Sequence, residues 1–149
     1  HFRYVIDHVP AGTVESVLSF CHYCLNDDAL TDYLDYFEEK GIGVINASPF
    51  SMGLLTERGA PDWHPAPKPL QDLCRKAINH CKAKGESIEQ LAVKYSVSNP
   101  RIATTLFSTS RPEAVLQNIK WAKEALNEEL LHEVHTILKP RFRDTWLNS

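Results

Sequence analysis

What this chain lacks narrows its class first. No apolar run approaches the roughly 20 residues that cross a bilayer. The opening His1-Phe2-Arg3-Tyr4 has neither the apolar centre of a signal peptide nor an initiator Met. The expectation is a soluble, cytoplasmic protein with no membrane partner, whose start reads as internal to a longer chain. Charge of one sign is also missing. Sixteen Lys and Arg are scattered among 19 Asp and Glu, for a formal net charge of -3, so no basic patch forms and no nucleic-acid partner is expected. Glycine is scarce, at 6 in 149 residues, and Gly41-Ile42-Gly43 has no third Gly at fingerprint distance and precedes a strand instead of following one. A Walker lysine motif, a Gly-x-Ser-x-Gly elbow and a recognisable serine triad are absent as well.

The few cysteines and histidines exclude more than they suggest. Cys21-His22-Tyr23-Cys24 has the two-residue gap of redox motifs and zinc knuckles. A zinc ribbon needs a second close pair, but Cys74 and Cys81 are seven apart on one helical face. A thioredoxin-like pair opens a helix, whereas Asn26-Asp27-Asp28 intervene here, so reduced structural thiols are expected. His132 and His135 are three apart where a metalloprotease helix needs a step of four, which leaves a solvated helix face. His22, His64 and His80 have no partner at ligand spacing, and no metal site is expected.

What is present is a core and an alternation. With 43% apolar residues the chain can bury one domain's core. Val14 to Phe20 reads as a buried strand, and Ala29 to Lys40 as a helix with Leu30, Tyr33, Leu34 and Phe37 at steps of three and four, stopped by Gly41 in a left-handed position. Ile42 to Ala47 reads as a second strand. From Ser48 to Pro69 the chain is irregular, with five of its prolines and two glycines, a long loop of the kind that usually carries function. A helix resumes near Leu70, with Leu73, Ala77 and Cys81 inward, and ends at Gly85. Ser87-Ile88-Glu89-Gln90 is a capping box for a helix to about Ser96, and Ile102 to Phe107 is a third strand. Ser110-Arg111-Pro112-Glu113 reads as a second capping box, heading a helix with Val115, Ile119, Ala122 and Leu126 on one face. Asn127 caps a last helix carrying Leu130, Leu131, Val134, Ile137 and Leu138. Strands separated by helices must be parallel, with right-handed crossovers. Short continuous apolar strands predict an α/β sheet covered on both faces.

In parallel architectures ligands bind at the carboxyl ends of strands, so Ser19 to Leu25, Ala47 to Pro67 and Ser108 to Ser110 are the candidate loops. Ser108-Thr109-Ser110 sets three hydroxyls at the positive end of a helix, which is either an anion site or an N-cap with its turn.

At the second loop, Ala47-Ser48-Pro49-Phe50-Ser51-Met52-Gly53-Leu54-Leu55-Thr56 closely resembles a cofactor-binding motif of the aldo-keto reductases. The Pro-rich stretch to Pro69, the segment Ile88 to Tyr95, and Ser108-Thr109-Ser110 through Gln117-Asn118 follow in the family's order. Ser19-Phe20-Cys21-His22-Tyr23, Asn46-Ala47-Ser48-Pro49 and Trp63-His64-Pro65-Ala66 resemble the family's NAD-dependent sugar dehydrogenases. The resemblance implies the C-terminal half of a (β/α)8 TIM barrel, with about three to four parallel strands and outer helices, over residues 1–149. It also implies NAD, with NADP possible, and a small sugar or carbonyl substrate. It sets Ser48, Pro49, Phe50, Ser51, Gly53 and Leu54 along the cofactor's pyrophosphate, Ser108, Thr109 and Ser110 at the adenosine ribose, and Ala114, Gln117 and Asn118 toward the adenine end.

Three departures matter. Ala47 stands where most members stack an aromatic ring on the nicotinamide. Ala114 stands where NADP-preferring members carry an Arg, and a methyl cannot pair with a 2′-phosphate, which favours NAD unless Arg111 reaches back. The family's catalytic Asp, Tyr, Lys and His have no counterpart in this sequence, and the surroundings of Tyr23 and Tyr95 match no such motif. The expectation is therefore a cofactor-binding half-barrel without turnover of its own, its open sheet edges able to pair with a partner chain. A non-catalytic binding module and an open flavodoxin-like sheet are the rival readings.

Overall fold

The computed structural model describes residues 1–144 and 146. A short helix, α1 (Phe2–Asp7), precedes β1 (Ser16–Phe20). Then come α2 (Leu34–Glu39), β2 (Gly43–Ala47), α3 (Lys68–Ala83), α4 (Ile88–Ser96), β3 (Thr104–Leu106), α5 (Pro112–Trp121) and α6 (Glu128–Leu138). No helix among the described residues is long and apolar enough to cross a membrane.

The three strands form one parallel sheet in the order β1-β2-β3. Register aligns Leu18 with Ile45 and Thr104, and Phe20 with Ala47 and Leu106. Because side chains alternate along a strand, these two rows share one face. The opposite face carries Val17, Val44 and Asn46, all buried. The expected cover on both faces is thus corrected to cover on one: Leu18, Phe20 and Leu106 are 48%, 38% and 46% exposed. Right-handed crossovers put the helices on a single side, and no described element packs on the other. An incompletely closed barrel predicts this open inner face.

The core lies between the covered face and the helices, built from Leu25, Leu34, Phe37, Leu54, Leu70, Ile88, Leu91, Val134 and Leu138. A fully buried Leu or Phe contributes about 1.5–3 kcal/mol through removal from water. Helix α3 buries Leu70, Cys74, Ala77, Ile78 and Cys81 at helical spacing and packs mainly on α6. The expected helix over 29–40 divides into a 3-10 turn (Ala29–Tyr33) and α2. The buried Asp27 carboxylate accepts from Ala29 N at 2.8 Å and Asp28 O accepts from Thr31 N at 2.9 Å, which winds the start tightly. Gly41 stops α2 at φ 68, as its lack of a Cβ permits.

Caps divide the same way. Asn127 accepts from Leu130 N at 3.1 Å, as expected. Ser87 accepts from Gln90 N at 3.1 Å, but the box is half made, because the Gln90 amide donates to Glu124 at 2.9 Å. Ser110 is not a cap. The N-cap is Arg111, whose N–H donates to Thr109 Oγ1 at 3.2 Å, and Pro112 opens α5 with no N–H to satisfy. Helix α5 ends at Trp121, and Val115 and Ile119 on its expected inner face are exposed, since α6 packs on α3 instead.

Candidate functional site

The carboxyl end of β2 runs into the most strained backbone of the described chain. Ser48, Ser51 and Met52 have φ of 63, 49 and 54, and Cys21 at the end of β1 has 60. Positive φ in residues bearing a Cβ costs of order 1 kcal/mol each and clusters where function constrains the backbone. The turn is held from several sides. Ser48 N donates to Leu106 O at 3.2 Å and Ser51 N to Ser48 O at 2.9 Å. Asn46, fully buried, donates from Nδ2 to Tyr23 O at 2.9 Å. Buried His64 accepts Ala66 N at Nδ1 (3.0 Å), so its proton sits on Nε2, which donates to Ser51 O at 2.9 Å.

Between this turn, the loop after it and α5 lies a groove of about 1030 Å³. Of the residues singled out from sequence, Phe50, Gly53, Ser108, Thr109, Ser110, Ala114, Gln117 and Asn118 line it together. Ser48 and Pro49 line an adjoining hollow of about 510 Å³, shared with Phe20, Ala47 and Leu106 of the open sheet face. Ser51 and Leu54 are the exceptions. They are 0% and 1% exposed, and their N–H groups donate to carbonyls of Ser48 and Ser51, so they form the turn's underside and offer a ligand neither side chain nor amide. A 3-10 turn (Ser51–Gly53) puts Ser51 and Leu54, three apart, on its inner side and leaves Met52 and Gly53 on the groove, which a linear motif does not display.

The groove also gathers residues beyond those that the motif assigns to the cofactor. Arg58, Trp63 and Glu89 line it, with Arg111 and Trp121 on the α5 side. Glu89 Oε1 accepts from Glu57 N at 2.7 Å, while its Oε2 is buried without a partner. Neither Arg58 nor Arg111 pairs with a carboxylate among the described residues, so two cationic residues without a counter-charge line a space bordered by four hydroxyl residues, Thr56, Ser108, Thr109 and Ser110. Such a site suits an elongated ligand carrying phosphate and planar rings. The signal for Arg58 was weak, since one Arg in a Pro-rich loop has no periodicity to declare its direction.

The remaining histidines and cysteines serve structure. His22 Nδ1 lies 3.0 Å from the buried Asp27 carboxylate, which holds the imidazole above its usual pKa of 6.5. His80 meets Glu133 at 2.7 Å. His135, expected on a solvated face, is turned instead onto Tyr95 and Phe142, and burial lowers its pKa. All four cysteines are free and buried; desolvation pushes Cys21 up to about 11 and both Cys74 and Cys81 to about 12. Tyr23 and Tyr95 stack at 4.9 Å, neither lining the groove, and burial raises the Tyr95 phenol far above its usual range, unsuited to proton transfer. No group of three or more metal-ligating side chains occurs among the described residues.

Comparison with known proteins places this geometry. The solved aldo-keto reductase from Bacillus halodurans superposes with a TM-score of 0.68 over 91% of this chain and 46% of its own, at 17% identity. The glycerol dehydrogenase from Gluconobacter oxydans gives 0.63 over 87% and 44%, at 18% identity. These likenesses establish the fold: three parallel strands and their outer helices correspond to about half of such a barrel. In sequence the chain is 46% identical to L-galactose dehydrogenase of Arabidopsis thaliana, over 97% of this chain and 47% of that protein. The chain thus spans about half the length of the relatives it matches. The aldo/keto reductase family model matches residues 7–139, and on that match, joined to the half-barrel sheet and its motifs, the chain belongs to the aldo/keto reductase family.

Proposed function

We propose that the chain is the dinucleotide-binding part of an NAD-dependent sugar dehydrogenase of the L-galactose dehydrogenase kind, forming a partial aldo-keto reductase domain over residues 1–149. The observation that carries this reading is the meeting of the β2 and β3 loops in one groove bearing Phe50, Gly53, Ser108–Ser110, Gln117 and Asn118. The residues fit the cofactor. Arg58 and Arg111 offset pyrophosphate charge, Ser108, Thr109 and Ser110 supply hydroxyl partners to the ribose, and Gln117 and Asn118 present amides to the adenine edge. Ser48 and Pro49, in the adjoining hollow, continue the pyrophosphate wall beside Ala47 at the nicotinamide end. Ala114 supplies no cation of its own against a 2′-phosphate, which favours NAD; Arg111, on the same groove, is the residue that would admit NADP by turning toward that end. When bound, the nicotinamide supplies hydride chemistry between itself and an aldose or other carbonyl substrate, and the protein supplies position. Four buried thiols suit a reducing, cytoplasmic compartment.

Proton transfer needs the family's Asp, Tyr, Lys and His, and no residue here matches them. NAD titration followed by calorimetry, beside an assay of NAD-linked L-galactose oxidation, tests the proposal. Binding without turnover is the expected result; robust turnover by this chain overturns the claim that further residues are needed. A second reading, a binding module acting through a partner chain, draws on the exposed Leu18, Phe20 and Leu106. A defined oligomer without affinity for NAD on size-exclusion chromatography favours it.

A further inference from the structure

We propose that Arg75, on α3 outside the groove, is a positioning residue that presets the groove's loop wall before nucleotide arrives. The inference rests on the nucleotide reading above. Thr56, Arg58, Gly59 and Pro61 form that wall, and their stretch has no regular secondary structure to hold it. Three bonds shape it: Thr56 Oγ1 donates to Gly53 O and Gly59 N to Thr56 O, each at 2.8 Å, and Gly59 N also donates to Thr56 Oγ1 at 3.3 Å. Its anchors come from two separate helices. Arg75 donates from Nη1 to Glu57 O at 2.9 Å and from Nη2 to Arg58 O at 3.1 Å. From α4, Glu89 accepts the Glu57 N–H at 2.7 Å, so both backbone groups of Glu57 are held by side chains of different elements.

The fit is specific to the residues involved. Gly59 has φ +81, and a Cβ there would collide with the Arg75 guanidinium, so only glycine allows the turn and the cation together. A planar fork spans two consecutive carbonyls, which a lysine ammonium cannot do in the same geometry. Arg75 pairs with no carboxylate among the described residues, so its charge is directed to these carbonyls alone. Fixing the Glu57 and Arg58 carbonyls also fixes where the Arg58 side chain leaves the backbone on the groove wall. A preset wall spares the ligand the entropic cost of ordering the loop, which shows chiefly as slower release.

The test uses the full chain with Arg75→Ala and Arg75→Lys. Amide hydrogen exchange over residues 56–61 is measured without nucleotide, and NAD release by stopped-flow fluorescence of Trp63 and Trp121, which line the groove. Because Arg75 is exposed, circular dichroism should be unchanged, and Arg75→Lys remains as the milder variant if Arg75→Ala is unstable. Arg75→Ala is expected to speed exchange at Glu57 and Gly59 and to release NAD about tenfold faster, with Arg75→Lys between. Wild-type binding with release unchanged in Arg75→Ala overturns the role of Arg75 alone. A wild-type chain that binds no NAD overturns the nucleotide reading and this role with it.

Discussion

Replacing Lys94 by Met probes the ion pair that ties α4 to the helix bearing Gln117 and Asn118. Lys94 is 7% exposed, and its ammonium lies 3.0 Å from Glu86 and 3.3 Å from Glu124. The Glu86 side chain is 12% exposed and that of Glu124 35%. Asn127 Nδ2 also donates to Glu86 at 3.3 Å and Gln90 Nε2 to Glu124 at 2.9 Å, so the cluster bridges α4, the turn after α5 and the cap of α6. At an effective dielectric of about 20 each contact represents about 5 kcal/mol of gross attraction. Desolvation of the ions offsets most of it. Solvent screens the Glu124 side, so the cost of losing the cation falls chiefly on Glu86, left buried with one amide donor. Met keeps the volume and removes the charge, and the expected loss is about 3 kcal/mol, the low end for breaking a buried pair. For a chain of this size that lowers Tm by roughly 6–12 °C. Urea unfolding should show a lower midpoint at unchanged slope, and adding Glu86→Gln should recover much of the loss. A change below about 0.5 kcal/mol, or a loss that Glu86→Gln does not relieve, refutes a buried charge cluster as the tie.

Three further outcomes are expected. Phe37→Ala, at a side chain with no exposure, should cost about 3–5 kcal/mol in chemical denaturation, as removal of a core ring leaves a cavity. The raised His22 pKa means its bond to Asp27 stabilises fully below about pH 6.5 and is lost as pH rises through the folded value; the stability difference between wild type and Asp27→Asn should shrink over that window, with His22 titrating lower in the variant by NMR. Native Cys74 and Cys81, pushed up to about 12 by burial, should resist alkylation at pH 8 and react once urea unfolds the chain.

Local sequence specified local structure wherever one residue's chemistry suffices. Gly41 stops α2 because it alone tolerates the left-handed backbone there, Asn127 caps α6 through its own side chain, and the inward stripe of α3 follows from helical spacing. Reading failed where a neighbour outbid the local partner. Gln90 turns from its own helix start to Glu124, the N-cap of α5 falls one residue later than Ser110 with Thr109 holding the Arg111 N–H, and Ser51 and Leu54 are carried beneath a turn that a linear motif presents as one surface. His22 looked partnerless because Asp27 approaches it through a loop, not along a helix or strand.

The sequence by itself determined the alternation of helix and parallel strand, the carboxyl-end loops as the candidate ligand site, and the family motif that runs through them, since periodicity, capping and residue order are local properties. The tertiary structure alone decided which sheet face is covered, that Arg58, Glu89 and Trp121 join Ser108 and Asn118 on one groove, and that Arg75 holds its wall. Those outcomes depend on distances between elements far apart in the chain, and such distances exist only once the helices have packed on the sheet.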